Sequence, residues 1–363
     1  MIIKLKFLNQ KIMSEKILRL GCCCQTITLR HAEGKKENEI TGSRSMAFKT
    51  FEKEGGFLEG EKRSLSNIND MKKMMHWMKK MGISVFRLPS DMIPHGSNQD
   101  LQKIDPIKGK RYNTLEFCKK ELKELGDVAK SLGFRCTFHP GQYNQLGTKS
   151  KDVLKRTYYE LDMHVKILDL MGMDKDGVMV IHGGGTYGEI DKTIERIIKV
   201  IKVLPERIKR RLVLENDEKC YSPDNLLKIC EATNTPLVFD IHHYVCYEKN
   251  HPDEQQSLDV IIPRILETWK KRDIKPKFHI SEQDLEKRLG AHSFYIEEIQ
   301  NELLEIPEKF NIDLDLMIEA KGKELAIEKL FRKYKQLCPE NRVSIPLVIP
   351  KKAWKEYGKH NLE

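Results

Sequence analysis

Residues 211–244 read RLVLENDEKCYSPDNLLKICEATNTPLVFDIHHY and have the pattern of a strand–helix–strand unit. Two short apolar runs, LVL and LVF, are typical of buried parallel strands. Between them a serine–proline pair begins a helical pattern, because serine caps a helix and proline fits its first position. The first run ends at Glu215 and the second at Asp240. Acids at the carboxyl ends of parallel strands predict a divalent metal site.

Length and composition limit the class of protein. The chain has 363 residues, enough for one large α/β barrel or two medium domains. No apolar run approaches the roughly 20 residues of a membrane span, so no membrane partner is expected. The net charge of +10 favours a polyanionic partner, nucleic acid first, although a generically basic protein is the alternative. Nine cysteines without paired metal-knuckle spacing favour a reducing, intracellular compartment, cytoplasm or nucleus.

Eight apolar runs alternate with helical patterns along the chain. The predicted strands are residues 17–21, 83–88, 134–138, 178–181, 212–214, 237–239, 277–280 and 315–318. The linking segments include a long polar loop at 31–63 and a helix predicted at 294–304. No composition break divides the chain, so a single (β/α)8 TIM barrel is predicted. A doubly wound open sheet is the competitor, but it would gather its ligands at one switch point. The predicted divisions are an N-terminal extension (1–16), the barrel (17–337) and a basic C-terminal tail (338–363).

Histidines and acids lie where these strands end. Taken alone, a histidine at a strand end is usually a satisfied polar residue, and Glu215 alone could cap the next segment. Several buried acids together imply cations. Five imidazoles and three carboxylates suit two or three divalent ions, Mn²⁺ first, with Zn²⁺ or Mg²⁺ as alternatives. Such clusters support in-line attack at phosphorus. The candidate metal ligands are His139, His182, Glu215, Asp240, His243, His279, His292 and Glu319.

The motifs around these residues resemble one family, the UV damage endonucleases. These are barrel enzymes related to the class II apurinic endonucleases and, more distantly, to the xylose isomerases. The resemblance extends from about residue 17 to residue 335. The matching segments are 87–95 (RLPSDMIPH), 138–146 (FHPGQYNQL), 180–188 (VIHGGGTYG), 214–221 (LENDEKCY), 236–243 (PLVFDIHH), 277–281 (KFHIS), 292–296 (HSFYI) and 316–324 (LMIEAKGKE).

The resemblance implies roles for particular residues. It implies the same eight metal ligands, with Glu215 and Glu319 bridging the ions. It further implies that Lys277 is a site of carboxylation beside the metals and that His95 acts at the scissile phosphate. Catalysis is thus expected to involve His95, Glu215, Lys277 and Glu319.

A second set of residues is expected to contact the damaged site in DNA. The resemblance implies that Gln142-Tyr143 is pushed into the DNA duplex at the lesion, where a planar ring fills the space of a displaced dinucleotide. An ordinary loop tyrosine is the alternative. Cys22, Thr26 and Pro89 depart from the pattern of many members, which affects how the lesion pocket is lined.

The expected function is a DNA repair endonuclease. It would nick duplex DNA on the 5′ side of UV photoproducts, cyclobutane dimers and 6-4 photoproducts, with damaged duplex DNA as its partner. A monomer is expected, and no protein partner is implied. The alternatives are an apurinic/apyrimidinic-site endonuclease on the same barrel, a sugar isomerase, and a non-catalytic DNA-binding protein with a structural metal.

Overall fold

The computed structural model describes residues 16–32, 39–254 and 256–357. Most of the predicted N-terminal extension (1–15) and the last six residues of the predicted tail lie outside these ranges. The strands are β1 Leu18–Cys23, β2 Val85–Arg87, β3 Arg135–Thr137, β4 Met179–His182, β5 Leu212–Glu215, β6 Leu237–Val238, β7 Lys277–Ile280 and β8 Leu314–Ile318. The α-helices are α1 Ile27–Arg30, α2 Gly56–Lys80, α3 Leu101–Ile104, α4 Pro106–Asn113, α5 Lys119–Ser131, α6 Lys151–Leu170, α7 Ile190–Val203, α8 Glu206–Lys209, α9 Pro223–Thr233, α10 Ile241–Asn250, α11 Leu258–Lys271, α12 Asn301–Leu304, α13 Ile306–Phe310, α14 Glu324–Lys333 and α15 Trp354–Tyr357.

The eight strands form a closed parallel barrel. One sheet has the order β3-β2-β1-β8-β7 and the other the order β4-β5-β6. Parallel bridges join the two sheets, Phe138 to Met179 on one side and Asp240 to His279 on the other. Each strand therefore pairs with the next along the chain, and β8 pairs with β1. The predicted (β/α)8 barrel is confirmed.

The barrel interior is filled in layers. At the amino-terminal end, the fully buried Asp315 accepts hydrogen bonds from Arg19 Nε at 2.7 Å and from Arg135 Nη1 at 2.9 Å. Above this layer, Cys23, Val85 and Met317 form a small apolar cluster separate from the main core. These buried ion pairs and apolar side chains fill the barrel beneath the residues at the carboxyl ends of its strands.

Three segments differ from the predicted elements. Helix α2 begins at Gly56, inside the predicted 31–63 loop. Helix α10, which has His243 in its first turn, begins directly after Asp240, where no helix was predicted. The predicted helix at 294–304 is wrong for most of its length, because only Asn301–Leu304 is helical. In the described ranges, none of the helices combines the length and apolar character that crossing a bilayer requires.

Candidate metal centre

Glu215 lies at the centre of the site. It ends β5 and is fully buried, and its Oε2 lies 2.7 Å from His139 Nε2, just beyond β3. Its Oε1 lies 2.6 Å from Nδ1 of His279 on β7. Burial raises the pKa of Glu215, but the imidazoles outweigh burial and hold it well below its usual range. The carboxylate is therefore ionised and available to a cation.

Glu319 follows β8 and contacts the same nitrogen of His279. Its Oε1 lies 3.0 Å from Nδ1 of His279, and it also forms an ion pair with Arg87 at the end of β2. Burial raises the pKa of Glu319, whereas Arg87 and His279 lower it well below its usual value. Ligand atoms of His139, Glu215, His279 and Glu319 all lie within 4.8 Å of one another, a separation that a single ion can span.

Asp240 and His243 form a second group with Glu215. Asp240 caps α10, and its Oδ1 accepts the backbone N–H of His243 at 2.9 Å. His243 Nδ1 lies 3.0 Å from the carbonyl oxygen of Asn216, a contact that fixes the ring and leaves Nε2 to act as a ligand. Ligand atoms of Glu215, Asp240 and His243 also lie within 4.8 Å of one another. Glu215 thus belongs to both groups, as expected of a bridging carboxylate.

His182 and His292 complete the set. His182 Nε2 lies 3.7 Å from Glu215 Oε2, and its ring centroid is 5.1 Å from that of His139 and 5.5 Å from that of His243. The ring of His292 is 5.9 Å from the ring of His243. Six of the eight predicted ligands thus form two groups that share Glu215, and His182 and His292 lie beside these groups without belonging to either.

The buried polar atoms of this cluster fit divalent ions. Asp240 Oδ2 and His182 Nδ1 are buried without a hydrogen-bond partner within the described chain. Burial lowers the pKa of His243, but the carboxylates of Asp240 and Glu215 raise it to about 10. These acids therefore favour a nearby positive charge, and the nitrogen and oxygen donors suit Mn²⁺ or Zn²⁺.

Of the two further catalytic candidates, one touches the cluster and one does not. Lys277 is fully buried, and its Nζ contacts His279 Nε2. Burial lowers the pKa of Lys277 to about 8. A substantial fraction of the amine is therefore neutral at a pH near this value. His95 lies on the loop after β2 with a left-handed φ of 56°. Its Nε2 contacts the carbonyl of Met46 at 2.9 Å, and the described residues show no hydrogen bond or ion pair from it to the ligands.

Gln142 and Tyr143 are on the loop after β3, directly beyond His139. Both are exposed, and Tyr143 is 81% exposed. The turn that carries them is closed by the N–H of Asn144, which donates to the carbonyl of Gly141 at 3.0 Å. An aromatic side chain is thus presented to solvent close in sequence to a candidate ligand.

Comparison with known proteins identifies the family. The profile of the family described as UV-endonuclease UvdE matches residues 18–348. The chain belongs to the UV-endonuclease UvdE family. It is 30% identical over 319 residues to the UV DNA damage endonuclease of Bacillus velezensis, covering 86% of this chain and 93% of the relative.

Solved structures agree with this family. The crystal structure of SacUVDE superposes with a TM-score of 0.70 at 27% identity, covering 88% of this chain and 99% of that one. Endonuclease IV from Thermus thermophilus shares the fold, with a TM-score of 0.50 at 13% identity, covering 88% of this chain and 99% of that one.

Two residues of this UvdE-family site escaped the sequence analysis. Arg87 lies at the end of β2, as the candidate ligands lie at the ends of their strands, but a positively charged arginine does not coordinate a metal ion. Asn216 exchanges hydrogen bonds with Asp240, donating from Nδ2 to its carbonyl and accepting from its N–H, both at 2.9 Å. Its position directly after Glu215 is the signal that could have revealed it.

Proposed function

We propose that this chain nicks duplex DNA on the 5′ side of UV photoproducts, with two or three divalent ions held by the eight candidate ligands. One observation carries the proposal: a buried glutamate, Glu215, is contacted by the imidazoles of His139, just beyond β3, and His279, on β7. Membership of the UvdE family supplies the substrate class. Mn²⁺ is the proposed ion, and we propose that the enzyme acts as a monomer inside the cell.

The protein's residues have distinct parts in this reaction. Ions bound by this set would activate a water molecule and stabilise the leaving oxygen. Glu215 would bridge the ions, since its two oxygens face different histidines. Arg87 would neutralise part of the charge on Glu319. Lys277, with its lowered pKa, would act beside the metal ions, either as a neutral amine or as a carboxylated side chain.

Recognition of the duplex would depend on the exposed loop that carries Gln142 and Tyr143. A damaged dinucleotide is already poorly stacked, so its displacement costs less than that of an intact one. Tyr143, at 81% exposure, can occupy the vacated space. His95 is proposed to act at the scissile phosphate. Its Nε2 contacts the carbonyl of Met46, and the described residues show no hydrogen bond from His95 to the cluster, so this role does not include binding the ions.

The test is a nicking assay on ultraviolet-irradiated and unirradiated supercoiled plasmid, paired with elemental analysis. The wild type should nick the irradiated plasmid preferentially, lose activity in EDTA and regain it with Mn²⁺. Glu215→Gln should bind less metal and fail to nick, whereas Glu195→Gln, at an exposed position on α7, should behave as the wild type. Strong cutting of an abasic duplex without cutting of a thymine-dimer duplex would instead favour an apurinic-site endonuclease. No nicking of any of these substrates would reject the proposal.

A further inference from the structure

The loop that carries Tyr143 is tied to the loop that follows β4. We name residues 140–149 the probe loop and residues 183–189 the brace loop. The hydroxyl of Tyr187 in the brace loop donates to Gln145 Oε1 in the probe loop at 2.9 Å. Lys149 Nζ, at the end of the probe loop, donates to Glu189 Oε2 at 2.8 Å. A hydrogen bond and an ion pair therefore join the two loops.

Side chains of helix α7 contact both of these loops. Arg196 Nε donates to the carbonyl of Gly147 in the probe loop at 3.1 Å, and Thr193 Oγ1 donates to the carbonyl of Thr186 in the brace loop at 2.8 Å. A Cβ at Gly147 would lie 2.7 Å from Thr193 Cγ2, so only glycine allows this close approach. The base of the probe loop is thus fixed, while Tyr143 at its tip stays exposed.

Tyr187 is held in a strained backbone conformation. Its φ is 56°, in the left-handed region, which is unfavourable for a residue with a Cβ. Tyr187 is 42% exposed, and its ring lies near two cations, with Lys149 Nζ at 5.7 Å and Arg196 Cζ at 5.8 Å from the ring centroid. Such strain persists only where surrounding contacts over-determine the residue, and it is enriched at functional sites.

We propose that Tyr187 is a positioning residue for lesion recognition. Its hydroxyl fixes Gln145, and Gln145 in turn fixes the orientation of the probe loop that presents Tyr143. Lys149 and Arg196 hold the ring itself in place. The inference rests on the proposed function, because it assumes that the probe loop enters the damaged duplex. It predicts that losing this single hydroxyl, whose hydrogen bond goes to Gln145 and not to a candidate metal ligand, weakens binding of damaged DNA only.

The experiment measures nicking of a thymine-dimer duplex by the metal-loaded protein, with an intact duplex of the same sequence as a competitive inhibitor. Tyr187→Phe keeps the ring and its two cations but removes the hydrogen bond. We expect the KM for the damaged duplex to rise about three- to tenfold, the effect of one lost hydrogen bond. The kcat and the inhibition constant of the intact duplex should stay unchanged. Tyr159→Phe is the matched control, since that ring also faces a lysine but its hydroxyl makes no hydrogen bond to the probe loop within the described chain.

Gln145→Ala removes the other partner of the same hydrogen bond. If Tyr187 acts through Gln145, the double variant should be no worse than Gln145→Ala alone. An unchanged KM in Tyr187→Phe would overturn the inference, as would an equal weakening toward damaged and intact duplexes, additive effects of the two changes, or loss of the fold in Tyr187→Phe. A wild type that does not nick the dimer duplex would instead refute the proposed function.

Discussion

Nδ1 of His279 lies 2.6 Å from Oε1 of Glu215, a contact between β7 and β5 that passes over the intervening strand β6. The same nitrogen lies 3.0 Å from Oε1 of Glu319. One imidazole N–H cannot satisfy two carboxylates equally, so the two acids compete for it, although Glu319 also pairs with Arg87 and Glu215 with His139. A bound cation would interact with both carboxylates at once.

His279→Gln should therefore lose both metal and activity. The amide cannot coordinate as an imidazole does, and the effect should exceed the roughly 10- to 100-fold that loss of an outer contact costs a metal site. Elemental analysis and the nicking rate of irradiated plasmid measure the two losses. His76→Gln, an exposed position on α2, is the control. Full metal content in His279→Gln would exclude His279 as a ligand.

Arg87→Met should make the protein depend more on its metal. Without ions, Glu319 would be buried beside a neutral side chain, and the free energy of unfolding should fall by about 3 kcal/mol. With ions bound, the cation compensates, so the gain in melting temperature on adding Mn²⁺ should be larger than in the wild type. Thermal unfolding in EDTA and in Mn²⁺ measures this difference. Arg210→Met, which breaks an exposed ion pair with Asp169, should leave the gain unchanged.

Tyr143→Ala should lower lesion discrimination without destabilising the fold. The side chain is 81% exposed, so the free energy of unfolding should change by less than about 0.5 kcal/mol. The preference for irradiated over intact duplex should fall about tenfold, in line with the loss of one aromatic stacking contact. Competition binding measures the preference, with Val203→Ala as an exposed control on α7. An undiminished preference would show that another group enters the duplex.

Asp315→Asn should reveal the contribution of the ion pairs at the amino-terminal end of the barrel. Burial raises the pKa of Asp315, but Arg135 and Arg19 outweigh burial and lower it below its usual value. Its stabilising effect is therefore complete above the unfolded-state pKa, near 4, and is lost as the pH falls through the lower folded-state pKa. At pH 7 the variant should be less stable by about 3 kcal/mol, and this gap should narrow below about pH 4.

Urea unfolding of both proteins between pH 7 and pH 3.5 measures the gap. Asp313→Asn is the matched control, because its ion pair with Lys275 is partly exposed and should contribute at most about 1 kcal/mol. A gap that stays constant with pH would mean that Asp315 has no lowered pKa.

The barrel could be predicted from the sequence because its strands are short apolar runs that stop abruptly at polar residues. Glu215 and Asp240 illustrate this, since each follows such a run and each lies in the cluster. Family membership, an expectation from the motifs, is confirmed. The metal ligands and the catalytic roles stay predictions, as do the native ion and the domain boundaries.

Other features depend on contacts between distant segments, which a local pattern does not contain. The backbone N–H groups of Glu297 and Glu298 donate to Glu282 Oε1 at 2.8 Å and 3.0 Å. The next N–H, of Ile299, donates to the hydroxyl of Tyr334 at 3.0 Å. These tertiary bonds replace the helical ones, so the apolar periodicity of 294–304 predicted a helix that forms only at its end. Arg87 was missed because arginine is not a metal ligand, and its ion pair with Glu319, 232 positions away, is a tertiary contact.

The bridge between Asp240 and His279 is also one of the two joins between the sheets of the barrel. At this join the backbone N–H of His279 donates to the carbonyl of Phe239 at 2.9 Å, and the candidate ligands Asp240 and His279 lie on its two sides. Ions connected through Glu215 would add coordinate bonds across the same boundary. Removal of the ions would then weaken the pairing between the two sheets as well as the metal site. Amide hydrogen exchange after chelation should therefore increase first where β6 meets β7.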